Sequence, residues 1–180
     1  MIRRGTVLRY IVMIVGLLIV VIAMVLIVGA ALPQKHQVTR EATYKATSAQ
    51  LFELMRNVSD YPSWQKAVSK VEILPEIDGK PRARETNGGM AITYEFSDIV
   101  PNQRMVSRIA DDKLPFGGSW TYELIAGATS DATTLRITEN GEVYNPVYRF
   151  VSRFVMGHSA TIDKYLEAVG TRYPRVSKPS

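Results

Sequence analysis

Apolar and polar positions alternate in three different ways along this chain. From Tyr10 to Leu32 every residue is apolar, small or aromatic, with no charge over 23 residues. As a helix that run is about 34 Å long, enough to cross a hydrocarbon core of about 30 Å. A secretory leader carries an apolar core of only about 7–15 residues. Val28-Gly29-Ala30 would pass as a cleavage site, but the length favours a retained single-pass anchor. Pro33 then ends the run.

The second regime has period two, the signature of strands with one face buried. Gln37–Lys45 reads as a first strand, with Val38, Ala42 and Tyr44 on one face. Thr47 or Ser48 can cap a short helix carrying Leu51, Phe52, Leu54 and Met55, and Asp60-Tyr61-Pro62-Ser63-Trp64 follows as a turn or second short helix. Strands are predicted at Val68–Leu74, Arg82–Thr86, Met90–Val100, Met105–Ile109, Ser119–Ile125 and Thr133–Tyr144. Asp78-Gly79 and Asn87-Gly88-Gly89 supply tight turns between them. In Met90–Val100 the residues Met90, Ile92, Tyr94 and Phe96 share a face, and Trp120, Tyr122 and Leu124 share another strand's face. A bulge is expected at Asn140-Gly141, because too few residues follow for a return strand.

The third regime has the helical period. Asn145 can cap and Pro146 can open a helix that Gly170 would close. At 100° per residue Val147, Phe150, Val151, Phe154, Val155, Ile162, Tyr165, Leu166 and Val169 fall on one side, with Arg149, Ser152, Asp163, Lys164 and Glu167 opposite. One long amphipathic helix is the expectation. Strands followed by a terminal helix argue for an α+β fold. The chain thus divides into a short basic segment at 1–9, a transmembrane helix at 10–32, a domain at 33–173 and a basic tail at 174–180.

Charge changes the picture only at the ends. The formal net charge is +5, yet without residues 1–32 there are 19 basic against 17 acidic side chains, and without the tail from Thr171 as well the count is 16 against 17. The folded part is nearly neutral, and no strand interleaves aromatic with basic residues, so no nucleic-acid partner is expected. Basic termini beside an anchor suit anionic lipid headgroups. Arg3, Arg4 and Arg9 flank the N-terminal side of the span, against Lys35 and Arg40 after it. The positive-inside rule leans toward a cytoplasmic N-terminus and an extracytoplasmic domain. With no cysteine and only His36 and His158, no metal site is expected. No phosphate-binding glycine loop or nucleophile elbow appears, and no cofactor is expected.

The order of elements resembles the START-like helix-grip (SRPBCC) superfamily, and more narrowly its polyketide cyclase/dehydrase-type proteins. The residues that carry the likeness are Asp60-Tyr61-Pro62-x-Trp64, Leu114-Pro115-Phe116-Gly117-Gly118-Ser119-Trp120, Gly141-Glu142-Val143-Tyr144-Asn145-Pro146 and Arg149-Phe150-x-x-Arg153-Phe154. It implies a curved antiparallel sheet of six to seven strands around a long C-terminal helix, with an apolar cavity between them. It fixes no reaction, since carriers, sensors and cyclases share the fold.

Candidate site residues follow from the two periods. His158 lies about 20° from Val147 on the helical wheel, inside the apolar stripe. It reads as a polar anchor for a ligand, a general base if the protein is an enzyme, or a core histidine; a bend at Gly157 would instead turn it outward. Tyr94, Tyr122, Trp120, Phe154 and Phe116 complete the expected ligand-binding set, Phe116 on a glycine-rich loop that can cover a pocket mouth. Arg84, Glu85, Glu95 and Arg108 could form an acid–base set if they faced inward, but charges in strands usually lie on a wet face, and Glu95 is opposite in phase to Met90, Ile92, Tyr94 and Phe96. The expected partner is a hydrophobic small molecule or a lipid, with the membrane engaged through residues 10–32. The alternative is a cyclase/dehydrase-type enzyme using His158.

Overall fold

The computed structural model describes residues 4–127, 129, 131–157 and 159–176. Helix α1, Arg4–Ala31, has its spanning window wholly unburied, and is long and apolar enough to cross a membrane. Strand β1, Lys35–Tyr44, is followed by α2, Ser48–Arg56, and, after a 3-10 turn, by α3, Tyr61–Trp64. Then come β2, Val68–Ile77; β3, Lys80–Asn87; β4, Met90–Val100; β5, Arg104–Ile109; β6, Phe116–Ala126; and β7, Thr133–Val143. The chain ends in α4, Pro146–Val151; a π-helical turn, Ser152–Met156; and α5, Ala160–Arg172.

The strands form one seven-stranded sheet in the order β1-β7-β6-β5-β4-β3-β2, antiparallel throughout. Local chemistry explains the joints. Asp78 and Gly79 both take positive φ (52° and 71°), as a two-residue hairpin between β2 and β3 requires. Thr47 caps α2 in a full capping box with Gln50. Asn145 Oδ1 accepts from the backbone N–H of Val147 and Tyr148, and Pro146 opens α4.

The core lies between the sheet and α2, α3 and α5. Leu51 and Met55 from α2 meet Tyr44, Met105, Leu135 and Ile137 from the sheet, and Ile162, Leu166 and Val169 from α5. Each such side chain contributes about 1.5–3 kcal/mol relative to exposure. The Tyr44 hydroxyl donates to Leu166 O at 2.6 Å and ties α5 to the sheet's edge strand.

Three expectations change. The C-terminal segment is two helices, not one: the ladder widens into the π turn, and Gly157, at φ 76° and ψ 143°, stops it before α5. Only the second half grips the sheet. Val147, Phe154 and Val155 are exposed, and α4 packs against the end of α1 instead. At that contact Arg149 is buried rather than solvated. Its Nη1 donates to Ala30 O at 3.3 Å and Leu32 O at 2.9 Å, and its Nη2 to Tyr144 O at 3.3 Å. A guanidinium here occupies the carbonyl-rich end of α1, where a cation is also favoured by the helix dipole.

Asn140-Gly141 makes no bulge, for β7 keeps unbroken register with both β1 and β6 there. Glycine is needed for proximity: a Cβ on Gly141 would meet the His36 ring, and one on Gly118, at φ 126°, would lie 2.2 Å from Asn140 O. Finally, Phe116-Gly117-Gly118 belong to β6 and pair with Val143, Glu142 and Gly141, rather than forming a free loop.

Candidate functional site

Strand register assembles one wall of a cavity. Residues opposite one another in antiparallel strands share a face. Phe96 stands opposite Ser107, Ser107 opposite Trp120, and Trp120 opposite Glu139, which places all four on the concave side. On β3 the alternation puts Ala83 and Glu85 inward, while Arg84 between them reaches out to Glu72 at 3.8 Å. Glu85 lies opposite Ile92.

The other wall comes from α3 and α5. Trp64 meets Tyr61 and Tyr165 edge-on, with ring centroids 5.3 and 5.5 Å away. Tyr165 also stands 5.8 Å from Trp120 and 5.7 Å from Tyr122. Between the walls is a cavity of about 860 Å³, lined by these rings with Tyr94, Phe96, Met90, Ile92, Ile109, Phe116 and Glu85. At its rim lie the exposed Lys66, Lys164 and Glu167. Its size and aromatic lining are those of a small-molecule site.

Polar groups also reach the cavity, and among the described residues Trp64 Nε1, Gln65 Nε2 and the Tyr165 hydroxyl are buried there without a hydrogen-bond partner. The Tyr122 hydroxyl accepts from Ser107 Oγ at 3.5 Å, and the Tyr61 hydroxyl donates to Met55 O at 2.6 Å. Burial drives the phenols of Tyr61, Tyr94, Tyr122 and Tyr165 well above their ordinary value, so all four are neutral near pH 7. Glu139 is engaged: its Oε2 accepts from Trp120 Nε1 at 2.9 Å, and its Oε1 lies 3.3 Å from His36 Nε2. Burial lowers the His36 pKa.

Glu85 is different. It is 8% exposed, and among the described residues it has neither a hydrogen bond nor an ion pair. Desolvation alone raises its pKa to about 7. Its carboxyl is therefore poised to change protonation near neutrality. No cluster of three or more His, Asp or Glu fit to hold a metal occurs among the described residues.

Of the residues the sequence singled out, Tyr94, Phe116, Trp120 and Tyr122 come together around this cavity. Phe154 does not join them: it is exposed on the π turn, its ring 4.9 Å from Phe150. His158 lies outside the described residues. Nothing in the sequence marks Glu139 as a cavity residue, and Glu85 is offered only within a charged set that would matter if it faced inward. The available signal for Glu85 was its two-residue phase with Ala83, concealed in the polar strand Lys80-Pro81-Arg82-Ala83-Arg84-Glu85-Thr86-Asn87.

A curved antiparallel sheet closing on a terminal helix, with an aromatic cavity held between them, defines a helix-grip domain of the kind that binds hydrophobic ligands. The chain belongs to the polyketide cyclase/dehydrase and lipid transport family, whose profile matches residues 35–168. No curated protein matches it. Among solved structures it is similar to the Zhui aromatase/cyclase from Streptomyces (18% identity, TM-score 0.62, 77% of this chain and 93% of that one). It is also similar to a START superfamily protein from Mycobacterium smegmatis (17% identity, TM-score 0.58, 76% and 96%). At these identities the likeness establishes the fold.

Proposed function

We propose that this protein is a membrane-anchored carrier or receptor for a hydrophobic small molecule or lipid, held in the cavity between the sheet and α5. The observation that carries this reading is the cavity of about 860 Å³ walled by aromatic rings. A well-packed core leaves few voids larger than a water molecule, so space on this scale is kept for an occupant. Its interior gives better support to binding than to catalysis. The four tyrosines are neutral, Glu139 is already engaged, and Glu85 has no second polar group paired with it.

The anchoring half rests on α1 and its surroundings. Arg149 bolts the end of α1 to the domain, and Gly29 allows the Pro146 carbonyl to approach where any Cβ would clash. Around that junction Val147, Tyr148, Phe154 and Val155 are exposed, a patch contiguous with the anchor and suited to the headgroup–acyl boundary. The cavity end lined by Phe116, Gly117 and Gly141 lies next to Val143, whose N–H bonds Gln34 O just past the anchor. A ligand partitioning into the bilayer would therefore meet the domain close to the surface. Arg3, Arg4 and Arg9 favour a cytoplasmic N-terminus, with the domain on the far side.

The test is native mass spectrometry of the full chain, extracted from membranes and released from nanodiscs. A co-purifying hydrophobic mass is expected, and it should be lost in Ser107→Phe, which fills the cavity from a buried wall position. Protein that emerges empty, and fails to take up a hydrophobic fluorescent probe, would reject the reading.

A further inference from the structure

Two features of the cavity bear on the chemistry of its occupant. The first is the distribution of charge. The interior wall carries the carboxyl groups of Glu85 and Glu139, while the lysines that touch the cavity, Lys66 and Lys164, are exposed at its rim. A ligand carboxylate, sulfate or phosphate placed beside Glu85 would meet like charge once that carboxyl ionises, and the donors without a partner on this wall, Trp64 Nε1, Gln65 Nε2 and the Tyr165 hydroxyl, carry no formal charge to offset it. The second feature is Glu85 itself. More than nine-tenths of it is buried on the cavity side of β3, and no described donor or cation answers it. A buried carboxyl without a partner is costly, and a ligand group that supplies one recovers that cost.

The surroundings of Glu85 narrow the choice of group. Tyr61 on α3, Tyr94 on β4, Tyr122 on β6 and Tyr165 on α5 line the same cavity as Glu85, so a group held against the carboxyl shares that space with four aromatic rings. Aromatic faces attract cations through their quadrupole, most strongly where water is excluded. A carboxyl among aromatic rings meets an ammonium group with complementary charge from several sides.

We propose that the cavity selects an amphiphilic organic cation, with its ammonium group against Glu85 and the surrounding rings and its apolar body along Ile92, Phe96 and Phe116. This inference rests on the reading of the cavity as a ligand site and names the ligand's class. The ammonium can belong to a free alkylamine or to a zwitterionic lipid head. Binding a cation favours the ionised carboxylate, so near pH 7 association drives a proton from Glu85 into solution. The four tyrosines stay neutral in that range and supply none of it.

The experiment is isothermal titration calorimetry of the full chain in nanodiscs, with empty discs as the blank. Octyltrimethylammonium, octanol, octanoate and octylphosphocholine serve as probes. Octyltrimethylammonium is expected to bind at least ten-fold more tightly than octanol or octanoate. At pH 7, titrations in buffers of different ionisation enthalpy should reveal fractional proton release for the cation and none for octanol. In Glu85→Gln the cation's advantage and the proton release should both disappear, while retained octanol binding shows that the cavity is intact. Octylphosphocholine binding with the same Glu85 dependence would assign the ammonium to a lipid head; its failure beside a tight octyltrimethylammonium would assign it to a free amine. Equal affinity for octanol and the cation, tighter binding of octanoate, or an unchanged preference in Glu85→Gln would overturn the inference and leave the hydrophobic site standing. If none of the four probes binds, the reading of the cavity falls with it.

Discussion

Replacing Glu85 by glutamine should make the protein more stable above pH 7, and the size of the gain can be worked out. Gln keeps the shape of the side chain and removes its charge. In the folded chain the carboxyl is raised to about 7 by burial, against an ordinary value of 4.5. Each unit corresponds to about 1.4 kcal/mol, so ionising Glu85 in its folded site opposes folding by up to about 3 kcal/mol. Because the folded pKa is the higher one, the native state binds more proton between the two values. The favourable neutral state is fully present below about pH 4.5, and stability is lost as pH rises through 7. His36 acts with the opposite sign over an overlapping window: its folded pKa is depressed, so stability rises with pH through its titration. The diagnostic quantity is therefore the difference between wild type and Glu85→Gln, which cancels His36. Measured by tryptophan fluorescence on detergent-solubilised full chain without ligand, the variant's melting temperature should exceed the wild type's above pH 7. For a domain of this size, a gain of about 2–4 °C is expected per kcal/mol. The difference should shrink steadily toward pH 4.5. A difference that is constant across pH 4.5–8 would show that Glu85 is not desolvated as described, and would refute the reasoning.

Three further substitutions, with Gly16→Ala as a control for one of them, test other parts of the structure. Arg149→Met should expose the end of α1, since the carbonyls of Ala30, Leu32 and Tyr144 lose their shared donor; a cost of about 2–4 kcal/mol is expected, read as faster proteolysis around Pro33–Lys35 with α5 still protected. Gly118→Ala places a Cβ 2.2 Å from Asn140 O at positive φ, and should destabilise by more than about 1 kcal/mol, whereas Gly16→Ala, with open space around it, should leave the melting temperature unchanged. Thr47→Ala removes the cap of α2 and should cost about 1 kcal/mol in chemical unfolding.

Period-two patterning gave the sheet its faces because a strand's alternation is set by its own geometry. Met90–Phe96 and Trp120–Leu124 needed no knowledge of their partners, and four of the expected site residues meet in one cavity as a result. Glu85 was hidden for the converse reason. β3 reads as Lys, Pro, Arg, Ala, Arg, Glu, Thr, Asn, so both faces look wet, and only the register with β4 reveals which is enclosed. Gly141 was misread in a related way. A glycine within a strand can signal a bulge or close approach, and choosing between them required the position of the His36 ring on the neighbouring strand.

The C-terminal segment marks the limit of periodicity as an argument. A wheel at 100° per residue assumes an unbroken helix, and the π turn at Ser152–Met156 with Gly157 at positive φ invalidates the phase carried across it. The residues on either side serve different neighbours. Ile162, Tyr165, Leu166 and Val169 of α5 close the core and cavity, while Arg149 on α4 holds the final carbonyls of α1. An arginine at that phase looks like a solvated charge unless the acceptor is known, and the acceptor is a helix end more than a hundred residues earlier in the chain. The break thus lets one stretch of sequence perform two incompatible tasks. A continuous helix would present Val147 and Val169 to the same surface, whereas the interrupted one fastens the end of α1 with its first half and grips the sheet with its second.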